Sequence, residues 1–267
     1  MNNYKKNLIV FKNYLQKLNF RSQIKKIRSS KIIWHFCTPK CASTFYAKYM
    51  QQTLKYNNLH TKSFQISSMP EFGERYQVVD KNLLSKLLVK DKNFIHLVYR
   101  SHTIASKDLL DIISNQNHNV IIQYRPINET LISLCNFLNK SPETIWSSVL
   151  KIKWKSFNND EKIEKLIDFY LPWHVQFLQS WINQNKFRST FLKMEDVIKD
   201  PYEAMRLSFN NYNIEFKKIE TNFSNDEIMY NKNHNEAEII LSDYHKQKIR
   251  DFVIRNDFLG QNLVEFI

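Results

Sequence analysis

The stretch from Lys31 to Leu54 constrains the fold more than any other part of the chain. It begins with an apolar run, IIWHF, breaks at Thr38-Pro39 and continues through small and hydroxylated residues before apolar residues return at helical spacing. A short apolar run, a turn and a longer periodic segment predict a buried strand, a tight loop and a helix in succession. Units of this kind build parallel sheets that are covered by helices.

The loop inside this unit suits an anionic ligand. The first N–H groups of a helix have no intrahelical acceptor and carry a partial positive charge, which favours phosphate. Lys40 adds a full charge, and Ser43 and Thr44 add hydroxyl donors. The loop is not a Walker A motif, because GxxxxGK[ST] is absent. A helix start beside an exposed lysine would show the same residues without any ligand, so the rest of the chain has to separate the two interpretations.

Further strands and helices alternate along the chain. Apolar runs predict strands over residues 93–100, 119–124 and 187–192, and periodic segments predict helices near 81–90, 106–114, 128–138, from Tyr202 and from Ser242. Residues 56–80 predict a polar loop and residues 140–190 an entirely helical region. Residues 93–138 therefore repeat the strand and helix alternation with short connections. The pattern predicts an α/β fold with a central parallel sheet flanked by helices.

Ligands of such a fold bind at the carboxyl ends of the strands. Lys40, His102 and Arg125 each follow a predicted strand directly. We therefore expect these three polar groups, which come from separate segments, to meet at one edge of the sheet.

Charge is concentrated at one end of the chain. Residues 1–70 hold thirteen of the 39 Lys and Arg residues and none of the 26 Asp and Glu residues, so the remainder is neutral. We expect residues 1–30 to form a basic helical extension and residues 31–267 a single domain. The positive electrostatic field of this basic end favours anionic partners. The apolar face of residues 7–20 would also suit peripheral contact with a membrane.

Cysteine usage and hydropathy bear on the compartment. Cys37, Cys41 and Cys135 form no CxxC pair, which is typical of a reducing environment. The sequence has no apolar stretch of membrane-spanning length and no signal-peptide pattern. We therefore expect a cytoplasmic protein without a transmembrane segment.

Three segments resemble the motifs of a single family. Pro39-Lys40-Cys41-Ala42-Ser43-Thr44-Phe45 is similar to the 5′-phosphosulfate loop of the PAPS-dependent sulfotransferases, which is usually P-K-S-G-T-T-W. Arg125, followed eight residues later by Ser133, resembles the element that binds the 3′-phosphate. Arg100-Ser101-His102 resembles the segment that carries the catalytic base. The three segments occur in the family's order and imply its P-loop NTPase-like fold.

The resemblance also implies roles for individual residues. Lys40 and His102 would be catalytic, and the residues that bind the donor would be Lys40, Cys41, Ala42, Ser43, Thr44, Phe45, Arg125, Ser133, Met194, Lys232 and Asn233. Met194 would replace an adenine-contacting aromatic residue, and Lys232 and Asn233 lie where the family has an Arg-Lys-Gly clamp. Ala42 replaces the usual glycine, so a backbone with positive φ would be strained there.

The implied reaction moves the sulfuryl group of PAPS to a hydroxyl or amine of a small-molecule or glycan acceptor, with a carbohydrate favoured and 3′,5′-ADP as the product. No metal and no nucleic acid is expected to take part. Three alternatives stay open. They are an ATP-using transferase or kinase, a non-catalytic basic protein that binds anions, and an inactive relative of the sulfotransferases. Pairing of Arg125 with Glu129 is an alternative role for that arginine.

Overall fold

The computed structural model describes residues 31–57, 59, 61–65, 94–113, 118–145, 148–182, 184, 187, 189–209, 216–220, 239–257 and 262–267. The expected basic extension at residues 1–30 and the expected helix at residues 81–90 lie outside the described residues, as do Lys232 and Asn233.

The strands and helices alternate along most of the chain. They are β1 (Lys31–Cys37), α1 (Ser43–Tyr56), β2 (Thr61–Gln65), β3 (Ile95–Ser101), α2 (Lys107–Ile113), β4 (His118–Tyr124), α3 (Ile127–Lys140), α4 (Ser148–Lys153), α5 (Asn159–Phe169), α6 (Leu171–Ile182), β5 (Ser189–Lys193), α7 (Met194–Lys199), α8 (Pro201–Phe209) and α9 (Asp243–Asn256). Short 3₁₀ helices cover Pro142–Thr144, Trp154–Ser156 and Leu263–Phe266.

The five described strands form one parallel sheet in the order β2-β3-β1-β4-β5. The predicted class, α/β with a central parallel sheet flanked by helices, is confirmed. Strand β1 lies between β3 and β4, so the ends of these three strands are neighbours. The register from Trp34↔Val98 to Phe36↔Ser101 contains an extra residue in β3, immediately before His102. Irregularities of this kind change the direction of the residues that follow them.

Both faces of the sheet are buried at its central strand β1, where residues 32–37 have no exposed surface. Trp34 and Phe36 belong to a core that includes helices α3, α5, α6 and α9, and the Phe36 ring stacks on Trp181 with centroids 4.3 Å apart. Ile33 belongs to a second core that is formed with helices α1 and α8. Alternate residues of one strand therefore serve opposite layers, as the two-residue period of a strand requires.

One prediction about local structure was wrong, and one lacked detail. Strand β2 lies inside residues 56–80, which were expected to form a loop; its backbone pairs with β3 at the edge of the sheet, a contact that its polar sequence does not indicate. Residues 140–190 are divided into several helices. One division is at Asn158, where the side chain accepts a hydrogen bond from the Glu161 N–H at 2.9 Å and the Glu161 carboxylate accepts one from the Asn158 N–H at 2.8 Å.

The segment after β5 differs in detail from the expectation. Residues 194–199 form helix α7 themselves, and Asp200 then caps α8 by accepting hydrogen bonds from the N–H groups of Tyr202 and Glu203, each at 3.1 Å. The helix expected from Ser242 is confirmed, and the Ser242 hydroxyl caps it by accepting a hydrogen bond from the His245 N–H. None of the described helices is long and apolar enough to cross a membrane.

Candidate functional site

The candidate site lies at the carboxyl edge of the sheet. Lys40, His102 and Arg125 follow the ends of β1, β3 and β4, and these strands are adjacent. The guanidinium Nη1 of Arg125 donates a hydrogen bond to the Lys40 carbonyl oxygen at 3.4 Å. The imidazole of His102 contacts Cys37, the last residue of β1. The structure therefore places all three segments against the same strand end.

Backbone strain is concentrated in the loop between β1 and α1. Lys40 has φ 62° and Ala42 has φ 60° with ψ 27°, so both residues are left-handed. A residue with a Cβ adopts this conformation at a cost of about 1 kcal/mol, and it persists only where surrounding contacts hold it. The strain expected at Ala42 is therefore present, and Lys40 shares it.

Hydrogen bonds to β4 hold this loop. The N–H of Thr38 donates to the Gln123 carbonyl at 3.0 Å, and the Arg125 N–H donates to the Thr38 hydroxyl at 3.2 Å. The side-chain amide of Gln123 donates to the Cys41 carbonyl at 2.5 Å. The loop that carries Lys40 and the strand end that carries Arg125 are therefore joined at several points.

The ammonium of Lys40 lies in a partly buried, cationic environment. Its Nζ lies 4.3 Å from the centroid of the Phe137 ring on helix α3, a cation–π geometry. Burial lowers the pKa of the Lys40 ammonium, and the nearby charges of Arg125 and Lys140 lower it further. A positive charge that is destabilised by burial and by neighbouring cations would be stabilised by a bound anion, so this environment suits an anionic ligand.

Arg125 also has an acidic partner. Its Nε lies 3.1 Å from a carboxylate oxygen of Glu129, in the first turn of α3, which is the pairing that the sequence left open. Glu195 lies close by. A hydrogen bond from Lys193 lowers the pKa of Glu195, and the nearby charge of Arg125 acts in the same direction. The guanidinium is therefore oriented and partly neutralised by carboxylates.

The N-terminus of α1 provides a second set of donors. Ala42 is the cap residue, and no side chain caps this end of the helix among the described residues. The first turn contains no acidic residue. Residues Ala42, Ser43, Thr44 and Phe45 are all half-buried, whereas the Cys41 side chain has no exposed surface. The backbone of Cys41 is buried as well, so Cys41 supports the loop from within.

The hydrogen bond of His102 defines its tautomer. Its Nδ1 lies 2.6 Å from the Cys37 carbonyl oxygen, and a carbonyl can only accept, so Nδ1 carries the proton and the lone pair is on Nε2. Trp173 packs edge-on against the imidazole, with ring centroids 6.3 Å apart. The ring is thus held in an orientation in which Nε2 has the chemistry of a base.

Two further predicted residues lie next to the loop. Ser133 is half-buried on α3, one helical turn before Phe137, the residue that contacts Lys40. Met194 has only 4% exposed surface and packs with Cys37, Cys41 and Ala42, so its side chain supports the loop and offers little area to an adenine ring. The described part of the chain contains no group of three His, Cys, Asp or Glu residues that could hold a metal ion.

The sequence did not single out Gln123 or Phe137. Phe137 was one apolar position among many in a helix. Gln123 is one of two amide residues in the mostly apolar run NVIIQY, and it is the one next to the strand end. A buried amide at that position is the signal that could have identified it, because a buried polar group needs partners.

The fold and site together define a parallel α/β protein with a cationic edge that suits phosphate or sulfate groups. No protein-family model matches the chain, and no curated protein matches it in sequence. Among solved structures, it is similar to a crystal structure of a sulfotransferase from Alicyclobacillus acidocaldarius, with 12% identity, a TM-score of 0.44, and coverage of 89% of this chain and 95% of that one. A similarity of this size carries no argument about function, which rests on the site itself.

Proposed function

We propose that this protein is a sulfotransferase that moves the sulfuryl group of PAPS to a hydroxyl or amine of an acceptor. The observation that carries the proposal is the junction of Lys40 and Arg125: the guanidinium reaches the Lys40 carbonyl at 3.4 Å, directly before the uncapped N-terminus of α1. An adenosine bisphosphate has charged groups at two ends, and two neighbouring cationic elements suit such a molecule.

The residues that would bind PAPS, the sulfuryl donor, divide into two groups in this proposal. Lys40, the hydroxyls of Ser43 and Thr44 and the N–H groups of residues 42–45 would hold the 5′-phosphate. Arg125 and Ser133 would hold the 3′-phosphate, and Lys232 and Asn233 are proposed as further donor-binding residues. Met194 would contribute to donor binding mainly by supporting the loop. PAPS would supply the activated sulfuryl group. Lys40, at the cationic end of the loop, would stabilise negative charge on the leaving oxygen.

His102 is the proposed general base. Because Nδ1–H donates to the Cys37 carbonyl, the lone pair of Nε2 can accept the proton of the acceptor. The acceptor is proposed to be a small molecule or glycan, with a carbohydrate favoured. These assignments, the cytoplasmic location and membrane contact through residues 1–30 remain proposals.

Donor use can be tested by substitution. With 3′-phosphoadenosine 5′-[³⁵S]phosphosulfate and a panel of carbohydrate and phenolic acceptors, Lys40→Ala and Arg125→Ala should each reduce label transfer by about 100-fold or more. Lys55→Ala, which removes an exposed charge at the other end of α1, should retain wild-type transfer. Full activity of both site variants would reject the proposal.

Nucleotide selectivity separates the alternatives. A sulfotransferase should be stabilised against heat by 3′,5′-ADP and much less by ADP, and Arg125→Ala should remove the difference. Stabilisation by ADP and ATP alone would favour a kinase. A basic protein that binds anions without selectivity would respond to the two nucleotides alike, and its binding to polyanions would weaken steeply with added salt.

A further inference from the structure

Gln123 is a buried amide with two long-range partners. It lies on β4, two residues before Arg125, and has no exposed surface. Its Nε2 donates to the Cys41 carbonyl at 2.5 Å, and its Oε1 lies 2.7 Å from Nε2 of His35. Because the Cys41 carbonyl can only accept, the amide nitrogen must face it, and His35 must then donate from Nε2. Both ends of the amide are therefore used.

His35 is suited to a permanent donor role. It has no exposed surface, and burial lowers its pKa, which favours the neutral ring. Its edge packs on the ring of Tyr46 in α1, with centroids 5.5 Å apart. The pair of His35 and Gln123 therefore connects β1, β4 and the start of α1 behind the loop.

The bond at Cys41 lies at the strained point of the loop. Cys41 is located between Lys40 and Ala42, the two left-handed residues. A strained loop relaxes unless its surroundings hold it, and the Gln123 amide holds the carbonyl between the two strained residues. Gln123 therefore has two contacts with the loop. Its backbone carbonyl accepts a hydrogen bond from the Thr38 N–H, which any residue could do, whereas the contact with Cys41 requires the glutamine side chain.

We propose that Gln123, oriented by His35, is a positioning residue for the transfer reaction: its amide fixes the loop so that Lys40 and the start of α1 face the same donor as Arg125. The inference rests on the proposed function, but its structural part, that the amide holds residues 38–45 in place, does not. Small displacements of a charged group from its working position reduce catalysis by large factors.

The test compares two buried amides on the same strand. Gln123→Met keeps the approximate volume and removes both hydrogen bonds, while Gln123→Glu keeps the size and the acceptor for His35 and replaces the donor with a carboxylate. Asn119→Leu is the matched control, since Asn119 has 2% exposed surface on β4 and donates to the Ser208 carbonyl at 2.9 Å. If Gln123→Met does not fold, Gln123→Glu provides the comparison.

Hydrogen exchange gives a readout that is independent of function. The exchange rates of backbone amides are measured by mass spectrometry below the melting temperature of each variant. Peptides covering residues 38–45 should exchange about tenfold faster in the Gln123 variants and at the wild-type rate in Asn119→Leu. Unchanged exchange at residues 38–45 would overturn the inference, whether or not the protein uses PAPS.

Activity supplies the second readout. The Gln123 variants should bind 3′,5′-ADP about tenfold more weakly and lose turnover at saturating donor, with an unchanged KM for the acceptor, while Asn119→Leu keeps wild-type values. Wild-type binding and turnover in both Gln123 variants, or an equal loss in Asn119→Leu, would overturn the positioning role. A wild-type protein that neither binds 3′,5′-ADP nor transfers label would instead reject the proposed function.

Discussion

At the scale of single residues, the loop that carries Lys40 combines backbone strain with residues of the candidate site. Ala42 occupies a conformation that suits glycine, and this was expected from the sequence because the resemblance places a glycine there. The left-handed φ of Lys40 was not expected. It became visible only with the contacts around Cys41, since nothing in the local sequence requires it.

The strain at Ala42 leads to a prediction about stability. Ala42→Gly removes the Cβ clash, worth about 1 to 2 kcal/mol, and loses about 0.5 to 1 kcal/mol to the greater freedom of the unfolded chain. We expect the free energy of unfolding to rise by about 0.5 kcal/mol. Ala47→Gly, within α1, should lower it by about 1 kcal/mol or more. Urea unfolding measures both changes, and an equal loss in the two variants would show that Ala42 is unstrained.

At the scale of elements, the positions of Lys40, His102 and Arg125 depend on where a strand ends. The boundaries of β1, β3 and β4 were predicted to within about two residues, because buried apolar runs that stop at polar residues are a local signal. The division of residues 140–190 was missed, since tryptophan and other apolar residues continue across the breaks. The edge strand β2 was missed because its pairing with β3 is a long-range contact.

The junction between β4 and α3 would make Glu129 a competitor for the 3′-phosphate that Arg125 is proposed to bind. Glu129 lies in the first turn of α3 and binds the guanidinium that would hold the 3′-phosphate. Its side chain is 40% exposed, so the pair is worth at most about 1 kcal/mol. Glu129→Gln should therefore strengthen 3′,5′-ADP binding about two- to fivefold by calorimetry and leave 5′-AMP binding nearly unchanged.

A second substitution controls for the general effect of removing one negative charge from the protein. Glu203→Gln disrupts a comparable pair with Arg206 on α8 and should leave the affinity for 3′,5′-ADP at its wild-type value. Weaker binding in Glu129→Gln would mean that the carboxylate orients Arg125 productively and does not compete with the ligand.

At the scale of the whole molecule, a buried histidine should make stability depend on pH. His174 on α6 has no exposed surface, its Nδ1 lies 3.1 Å from the Tyr170 hydroxyl, and its Nε2 has no hydrogen-bond partner among the described residues. Burial lowers its pKa to about 3, against about 6.5 in an unfolded chain. Between these two pKa values, therefore, His174 is protonated in the unfolded state and neutral in the folded state.

The sign of the effect follows from this difference. The contribution of His174 to the free energy of unfolding is fully present above pH 6.5. It decreases as the pH falls towards 3, by about 1 kcal/mol per pH unit between pH 6 and 5. His174→Gln should remove that slope while its curve runs parallel to the wild type above pH 7. Urea unfolding at a series of pH values measures it, and identical slopes in the two proteins would show that His174 is protonated in the folded state.

The sequence alone determined the local pieces of this protein: the apolar strands, the loop with Lys40, and the polar residues that follow each strand, because each is encoded by neighbouring residues. The tertiary structure decided which pieces meet. The order β3-β1-β4 brings Arg125 to Lys40, and the Gln123 amide reaches Cys41 from 82 residues away. Such contacts depend on how the strands are ordered in the sheet, and no local pattern specifies that order.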